Sequence, residues 1–210
     1  RCPSSALVGL NVDPRQLEVA ARLTPPPAQG SLSLVAADAT NIPFRDGTFD
    51  RVLAIECAFH FPSRARFVAE AARVASPGGL LVMSDIVPAD SLRAKRDDSY
   101  WQGLRLTLEA GLGPWPDFFG DEPPLEALLP EHGLAIEVLR DATARTLPSF
   151  ASFTRAPSAE LQPLLRALSV DDAEASRIDP AVGLLGRLLR EGFLRVVYVA
   201  ARRTARARSV

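Results

Sequence analysis

Residues Asp38–Phe61, DATNIPFRDGTFDRVLAIECAFHF, followed by a helix-patterned stretch and by Ser76–Val87, SPGGLLVMSDIV, decide how this chain is read. Two apolar runs, Arg51–Ile55 and Leu80–Val87, are rich in Val, Leu and Ile and short enough to be buried strands. Between them Phe67, Val68, Ala71 and Val74 recur at three-to-four-residue spacing, which predicts an amphipathic helix over Arg64–Val74. Strand, helix and strand within about 35 residues make a βαβ unit with parallel strands. Ligands of such sheets bind beyond the carboxyl ends of the strands. Those ends carry Glu56, Cys57, His60 and Asp85.

Working outward, Ala6–Asn11 reads as a strand, and Asp13 is placed to cap a helix opened by Pro14. Thr24-Pro25-Pro26-Pro27 stops that helix, and Leu32–Ala37 is the next strand, ending at Asp38. Asp46-Gly47 has turn chemistry. Beyond Val87, Ser91–Gly113 and Leu125–His132 read as helices, Leu134–Leu139 as a half-exposed strand, and Pro148–Gly192 as helices with leucine faces, Leu161, Leu164, Leu165 and Leu168 among them. Phe193–Ala201 is a strong final strand, and the basic tail RRTARARSV is expected to fray.

The 210 residues suffice for one domain with a real core, and 47% hydrophobic with 23% charged residues fit a globular protein. A net charge of −1 argues against nucleic-acid binding. Lys95 is the sole lysine among 24 basic residues, so the arginines reflect a compositional bias that weakens arguments from any single one. Cys2 and Cys57 make no disulfide framework, and no His/Cys spacing suggests a metal. No apolar run reaches membrane-spanning length and no signal peptide opens the sequence, so a cytoplasmic location is the default expectation, without a membrane.

Together with Val8–Ala20, VGLNVDPRQLEVA, the run from Asp38 resembles the class I S-adenosylmethionine (SAM) dependent methyltransferases, particularly those acting on small molecules. The resemblance covers about Leu7–Val87 and rests on Asp38, Ala39, Ile42, Pro43, Phe44, Asp46, Gly47, Thr48, Phe49 and Asp50, and on the turn RVASPGG at Arg73–Gly79. It implies a Rossmann-like α/β fold: a doubly wound, mostly parallel sheet with an antiparallel last strand and a helical cap. The expected organisation is a single domain over 1–210, with 1–90 a partial cofactor core, 91–192 cap elements plus the strand 134–139, 193–201 the last strand and 202–210 the tail.

The resemblance also implies SAM as cofactor and direct displacement by an N, O or C nucleophile of a small molecule, with no metal. Asp38 and Ala39 would meet the adenine, Ile42 would pack on it, and Asn11 would stand where the ribose carboxylate normally is. Glu56 is a candidate for cofactor or substrate contact, and His60 is the better candidate for a general base. Each has a plainer alternative: an Asx turn for Asp38, a strand-end turn for Asn11, core packing for Ile42, strand-end bonding for Glu56 and a structural role for His60. Cys57 reads as packing, Asp85 as ligand-edge or capping, and His132 as a helix C-terminal residue. Trp101, Trp115, Phe118 and Phe119 are expected either to wall a substrate pocket or to pack helices. The 210 residues do not include the family's glycine-rich loop or the strand before it, which the resemblance would place centrally, between the strands at Ala6 and Arg51. The expectation drawn from this is a C-terminal part of a longer chain, with buried strand edges costing roughly 1–3 kcal/mol per unsatisfied group and weak SAM binding by these residues alone. A non-catalytic binding module is the rival reading.

Overall fold

A computed structural model describes residues 6–25, 30–153, 166–168 and 170–204. Strand β1 (Ala6–Asn11) leads into helix α1 (Pro14–Leu23), whose first turn is capped by the Asp13 carboxylate accepting from the Arg15 N–H. Strand β2 (Ser31–Ala36) pairs in parallel with β1, so β1–α1–β2 forms one parallel unit. Strand β3 (Phe49–Ile55), a 3₁₀ turn (Ala58–His60), helix α2 (Arg64–Val74) and strand β4 (Ala75–Pro88) form the second. Ser63 caps α2 by accepting from the Arg66 N–H. Gly79 sits where a Cβ would lie 2.8 Å from the Ser76 carbonyl oxygen and 3.2 Å from that of Phe49, so only glycine permits this entry to the strand.

Helices α3 (Asp90–Arg93), α4 (Ser99–Leu112) and α5 (Leu125–Glu131) follow, then strand β5 (Leu134–Asp141), helix α6 (Thr143–Phe153), helix α7 (Asp172–Arg190) and strand β6 (Leu194–Arg203). Strand order is β3–β4–β6–β5, and β6 runs antiparallel to both neighbours, as expected of the last strand. Alternation along the strands separates two cores. Ala54, Leu81, Met83, Val197, Val199 and Ala201 turn to one face and pack on Phe67, Val68 and Ala71 of α2 and Leu125, Leu128 and Leu129 of α5. At the opposite face Ile86 and Val196 meet the cap, where Trp101, Leu108, Trp115 and Phe118 pack with Leu184, Leu185, Leu188 and Leu189 of α7.

One expectation changes at the C-terminal strand. The final strand continues to Arg203 because Arg202 pairs with Glu137 and donates to the Gly78 carbonyl (2.9 Å), while Arg203 donates to the Arg73 carbonyl (2.7 Å) and to that of Ala75. Residues 205–210 of the tail, and Leu161, Leu164 and Leu165, lie outside the described residues. Of the two alternatives for Trp101, Trp115, Phe118 and Phe119, packing holds: all four are buried in the cap core, and Phe119 also borders a small cavity. Among the described residues no strand pairs with the facing edges of β1 and β3. Leu53 and Ile55 of β3 are 64% and 61% exposed there. No described helix is long and apolar enough to cross a membrane.

Candidate active site

The predicted residues stand at the strand ends of the candidate rim: Asn11 ends β1, Asp38, Ala39 and Ile42 follow β2, and Glu56 and His60 follow β3; Ala39 and Ile42 border one cavity and Glu56 another. Asp38, just past β2, accepts at Oδ1 from the Thr40 N–H (2.7 Å) and hydroxyl (2.9 Å). This is the Asx turn anticipated for it, yet it leaves Oδ2 without a hydrogen bond among the described residues. Turn and ligand roles are therefore compatible in one side chain. Ala39 and Ile42 border, with Val8, Leu10, Val52 and Ala54, an apolar gap of about 170 Å³ between the unpaired edges of β1 and β3, where the resemblance places the family's central strand, so the gap itself is no ligand slot. An exposed acceptor followed by a small residue and an apolar one suits a flat base bearing an exocyclic amine, so Asp38, Ala39 and Ile42 fit an adenosyl group. Asn11 is half-buried and committed to its turn: Oδ1 accepts from the Asp13 N–H and Nδ2 donates to Gln16, each at 2.9 Å. Oδ1 keeps a second lone pair and Nδ2 a second N–H, so a contact to a ribose requires no exchange of these partners.

Glu56 ends β3 with φ +50°, the left-handed region that costs a side-chain-bearing residue about 1–2 kcal/mol. Its N–H donates to the Ser84 carbonyl (2.9 Å) and lies 3.2 Å from the Ser84 hydroxyl, which holds the sharp exit from the strand. The Glu56 side chain borders a shallow hollow with Ser84 and Tyr198 on the sheet face opposite α2. Strain of this kind concentrates at functional sites, though here the bend also delivers Cys57 to the 3₁₀ turn.

His60 is held in one orientation. Its Nδ1 lies 2.7 Å from the Pro114 carbonyl oxygen. A carbonyl only accepts, so Nδ1 carries the proton and the neutral ring keeps its lone pair on Nε2. The ring also lies against Phe59, with centroids 4.1 Å apart. Burial holds its pKa below the ordinary histidine value, against smaller opposing effects of the Pro114 contact and Asp85. Burial, with Asp85 adding to it, pushes the Cys57 thiol up to about 11, so Cys57 is a protonated packing group near neutrality.

Beneath this rim Arg64 at the start of α2 bonds Asp85 of β4 (2.7 Å) and Asp117 (2.5 Å), with Arg64 4% and Asp85 0% exposed. Burial pushes the Asp85 carboxyl up and Arg64 opposes it; the guanidinium cannot lose its proton, so the 2.7 Å contact keeps Asp85 ionised. Asp85 accepts from the Ile86 N–H (2.9 Å), and the Phe59 N–H also favours its charged form. It is thus an internal support of the turn carrying His60. A separate cavity of about 70 Å³, bordered by Arg64, Asp117, Phe119 and Leu125, contains none of the predicted cofactor residues. His132 follows α5 with its N–H on the Leu128 and Leu129 carbonyls, as its helix-terminal reading implied. Sequence reading missed Arg64 and Glu70, whose only signal was their position on the helix between two strands, and gave Arg73 no role although it opens the RVASPGG motif.

Residues 1–83 match the family described as methyltransferase domain. Methyltransferase GfsG of Streptomyces halstedii is 40% identical over 93 residues, covering 44% of this chain and 34% of that protein. The 27-O-demethylrifamycin SV methyltransferase of Amycolatopsis mediterranei is 30% identical over 167 residues, covering 80% of this chain and 57% of that protein. The matches thus span from about a third to somewhat over half of these relatives' lengths. The crystal structure of mycolic acid cyclopropane synthase CmaA1, complexed with SAH and CTAB, has a TM-score of 0.70 at 14% identity, covering 94% of this chain and 70% of that one, a likeness of fold. The motif run from Asp38, the parallel βαβ units, the antiparallel last strand and these matches together support a class I SAM-dependent methyltransferase, with the family match itself covering residues 1–83.

Proposed function

We propose that this protein transfers a methyl group from SAM to an O, N or C atom of a small molecule. When bound, SAM supplies an electrophilic sulfonium methyl. Asp38 Oδ2 accepts from the adenine amine, Ala39 and Ile42 flank the base, and Asn11 lies on the ribose side. Glu56 orients a ligand at the strand end. His60 takes a proton from an acceptor hydroxyl or activated carbon through Nε2, while Pro114 holds the opposite nitrogen. The remaining contribution is alignment of the nucleophile with the methyl group and exclusion of water. A hydroxyl acceptor is supported by the name of the rifamycin relative, which denotes methylation at an oxygen.

The observation that carries the reading is Asp38, tied back through one oxygen and, among the described residues, without a hydrogen bond at the other, next to Ala39. Asp38→Ala in the full chain should weaken SAM binding by about 1.5–3 kcal/mol, the worth of a charge-assisted hydrogen bond, with an unchanged circular dichroism spectrum. Calorimetric titration checks this, and an unaltered dissociation constant would return Asp38 to a turn role alone. Asn11, an amide where the family has the ribose carboxylate, favours a second reading, ligand binding without turnover. Release of S-adenosylhomocysteine in the presence of an acceptor separates the two.

A further inference from the structure

The loop that carries Asp38, Ala39 and Ile42 has little secondary structure of its own, and it is held by one turn of α2. Glu70 Oε2 accepts from the Ile42 N–H at 2.7 Å. The Arg73 fork makes five contacts: Nε to Glu70 Oε1 (2.6 Å), Nη2 to Glu70 Oε2 (2.7 Å) and to the Ile42 carbonyl (2.8 Å), and Nη1 to the Phe44 carbonyl (2.7 Å) and Asp46 Oδ1 (2.9 Å). A guanidinium has five N–H donors, so every one is used, and an ammonium with three could not reproduce the pattern. The Arg73 carbonyl in turn accepts from the Gly47 N–H (2.9 Å) and from Arg203 Nη1 (2.7 Å). One residue therefore grips the loop at Ile42, Phe44, Asp46 and Gly47, and the last strand grips that residue.

We infer that Glu70 and Arg73 are positioning residues for the cofactor's adenine: they set the loop so that Asp38 and Ile42 face the base, without touching it themselves. This rests on the assignment of Asp38 and Ile42 to the adenine. The chemistry is that of preorganisation. A loop already ordered loses less freedom on binding, so a group outside the site alters affinity through the loop's resting population. Glu70 bonds both the backbone donor of Ile42 and the arginine that binds the Ile42 acceptor. The two side chains thus fix that peptide on both sides.

The test compares Arg73→Lys, which keeps the charge and loses the fork, with Glu70→Gln, which keeps an acceptor for Ile42 and weakens the arginine pair. In the full chain, Arg73→Lys should raise the dissociation constants of SAM and of adenosine about tenfold. It should also speed amide hydrogen exchange at residues 42–47 before any ligand is added. Glu70→Gln should do both to a smaller extent. In an Asp38→Ala background Arg73→Lys should cost much less, because the loop then has less to offer the base. If Asp38→Ala weakens binding while Arg73→Lys loosens the loop without changing affinity, the positioning role is wrong. Additive losses in the double variant contradict it as well, pointing to a general effect on stability. Should Arg73→Lys fail to fold, the same comparisons with Glu70→Gln decide. An Asp38→Ala variant with unchanged affinity instead overturns the underlying adenine assignment.

Discussion

His60→Gln is expected to lower kcat for a hydroxyl acceptor by about 10²–10⁴-fold, the span of a positioned general base, with SAM affinity nearly unchanged. The argument is geometric first. Nδ1 is spent on the Pro114 carbonyl, so the neutral ring presents a basic Nε2, whereas glutamine offers no comparably basic atom. Burial disfavours the imidazolium, so the pKa in the folded protein lies below the ordinary value of about 6.5. The working form is the neutral one. The wild-type rate should therefore be level through neutral pH and fall on the acid side, below the unperturbed histidine value. The variant should lack that acid limb. Single-turnover kinetics from about pH 5.5 to 9 checks both features. A hydroxyl acceptor methylated at the wild-type rate by His60→Gln would reduce the residue to packing and direct attention to Glu56. An amine acceptor entering already neutral needs no base, so a small effect is expected for it.

The largest expected loss of stability is at Arg64. Arg64→Met fills much of the same space but leaves Asp85, fully buried, and Asp117 without their cation. Breaking a buried pair from one side costs about 3–5 kcal/mol. The sign of the pH dependence follows from Asp85. Burial already raises its pKa, and the variant removes the guanidinium that opposes this. A carboxyl whose folded pKa lies above its unfolded value of about 3.9 stabilises the fold at low pH and loses that contribution as pH rises through the folded pKa. The deficit of Arg64→Met should thus be smaller at mildly acidic than at alkaline pH, and adding Asp85→Asn should recover part of it. Denaturant unfolding at two pH values measures this. A deficit independent of pH would mean that packing, not charge, is lost. The same lesion should disturb catalysis, because Asp85 faces the Phe59 amide beside His60.

What could be read directly from the chain is what local chemistry determines. Ala6–Asn11 and Arg64–Val74 are the observed β1 and α2, because a short apolar run and a 3.6-residue stripe each bury one way. Asp13 caps as its residue type implies; Ser63, which was not singled out in the sequence, caps α2 in the same way. The antiparallel last strand and the rim residues Asp38, Ala39, Ile42, Glu56 and His60 came from the resemblance and from strand ends. What escaped depends on partners distant in sequence. Arg64 meets Asp85 and Asp117 across 21 and 53 residues, and Arg73 meets Ile42 across 31. In a chain where arginine is nearly the only basic residue, no composition signal singles these two out. The aromatic run near Trp115 was equally ambiguous, since the same rings serve a cap core or a pocket wall until Leu184 and Leu188 are placed against them. Arg202 and Arg203 looked like tail because their acceptors, Glu137 and the Arg73 carbonyl, lie on other elements.

The central claim is that Asp38, with the adjoining Ala39 and Ile42, receives the adenosyl group, and a crystal structure of the full chain with S-adenosylhomocysteine tests it most directly. The account predicts the adenine amine at hydrogen-bond distance from Asp38 Oδ2, about 2.7–3.2 Å, with the ring between Ala39 and Ile42 and Asp38 Oδ1 still on Thr40. An adenine bound elsewhere, with Asp38 making only its turn contacts, would contradict it.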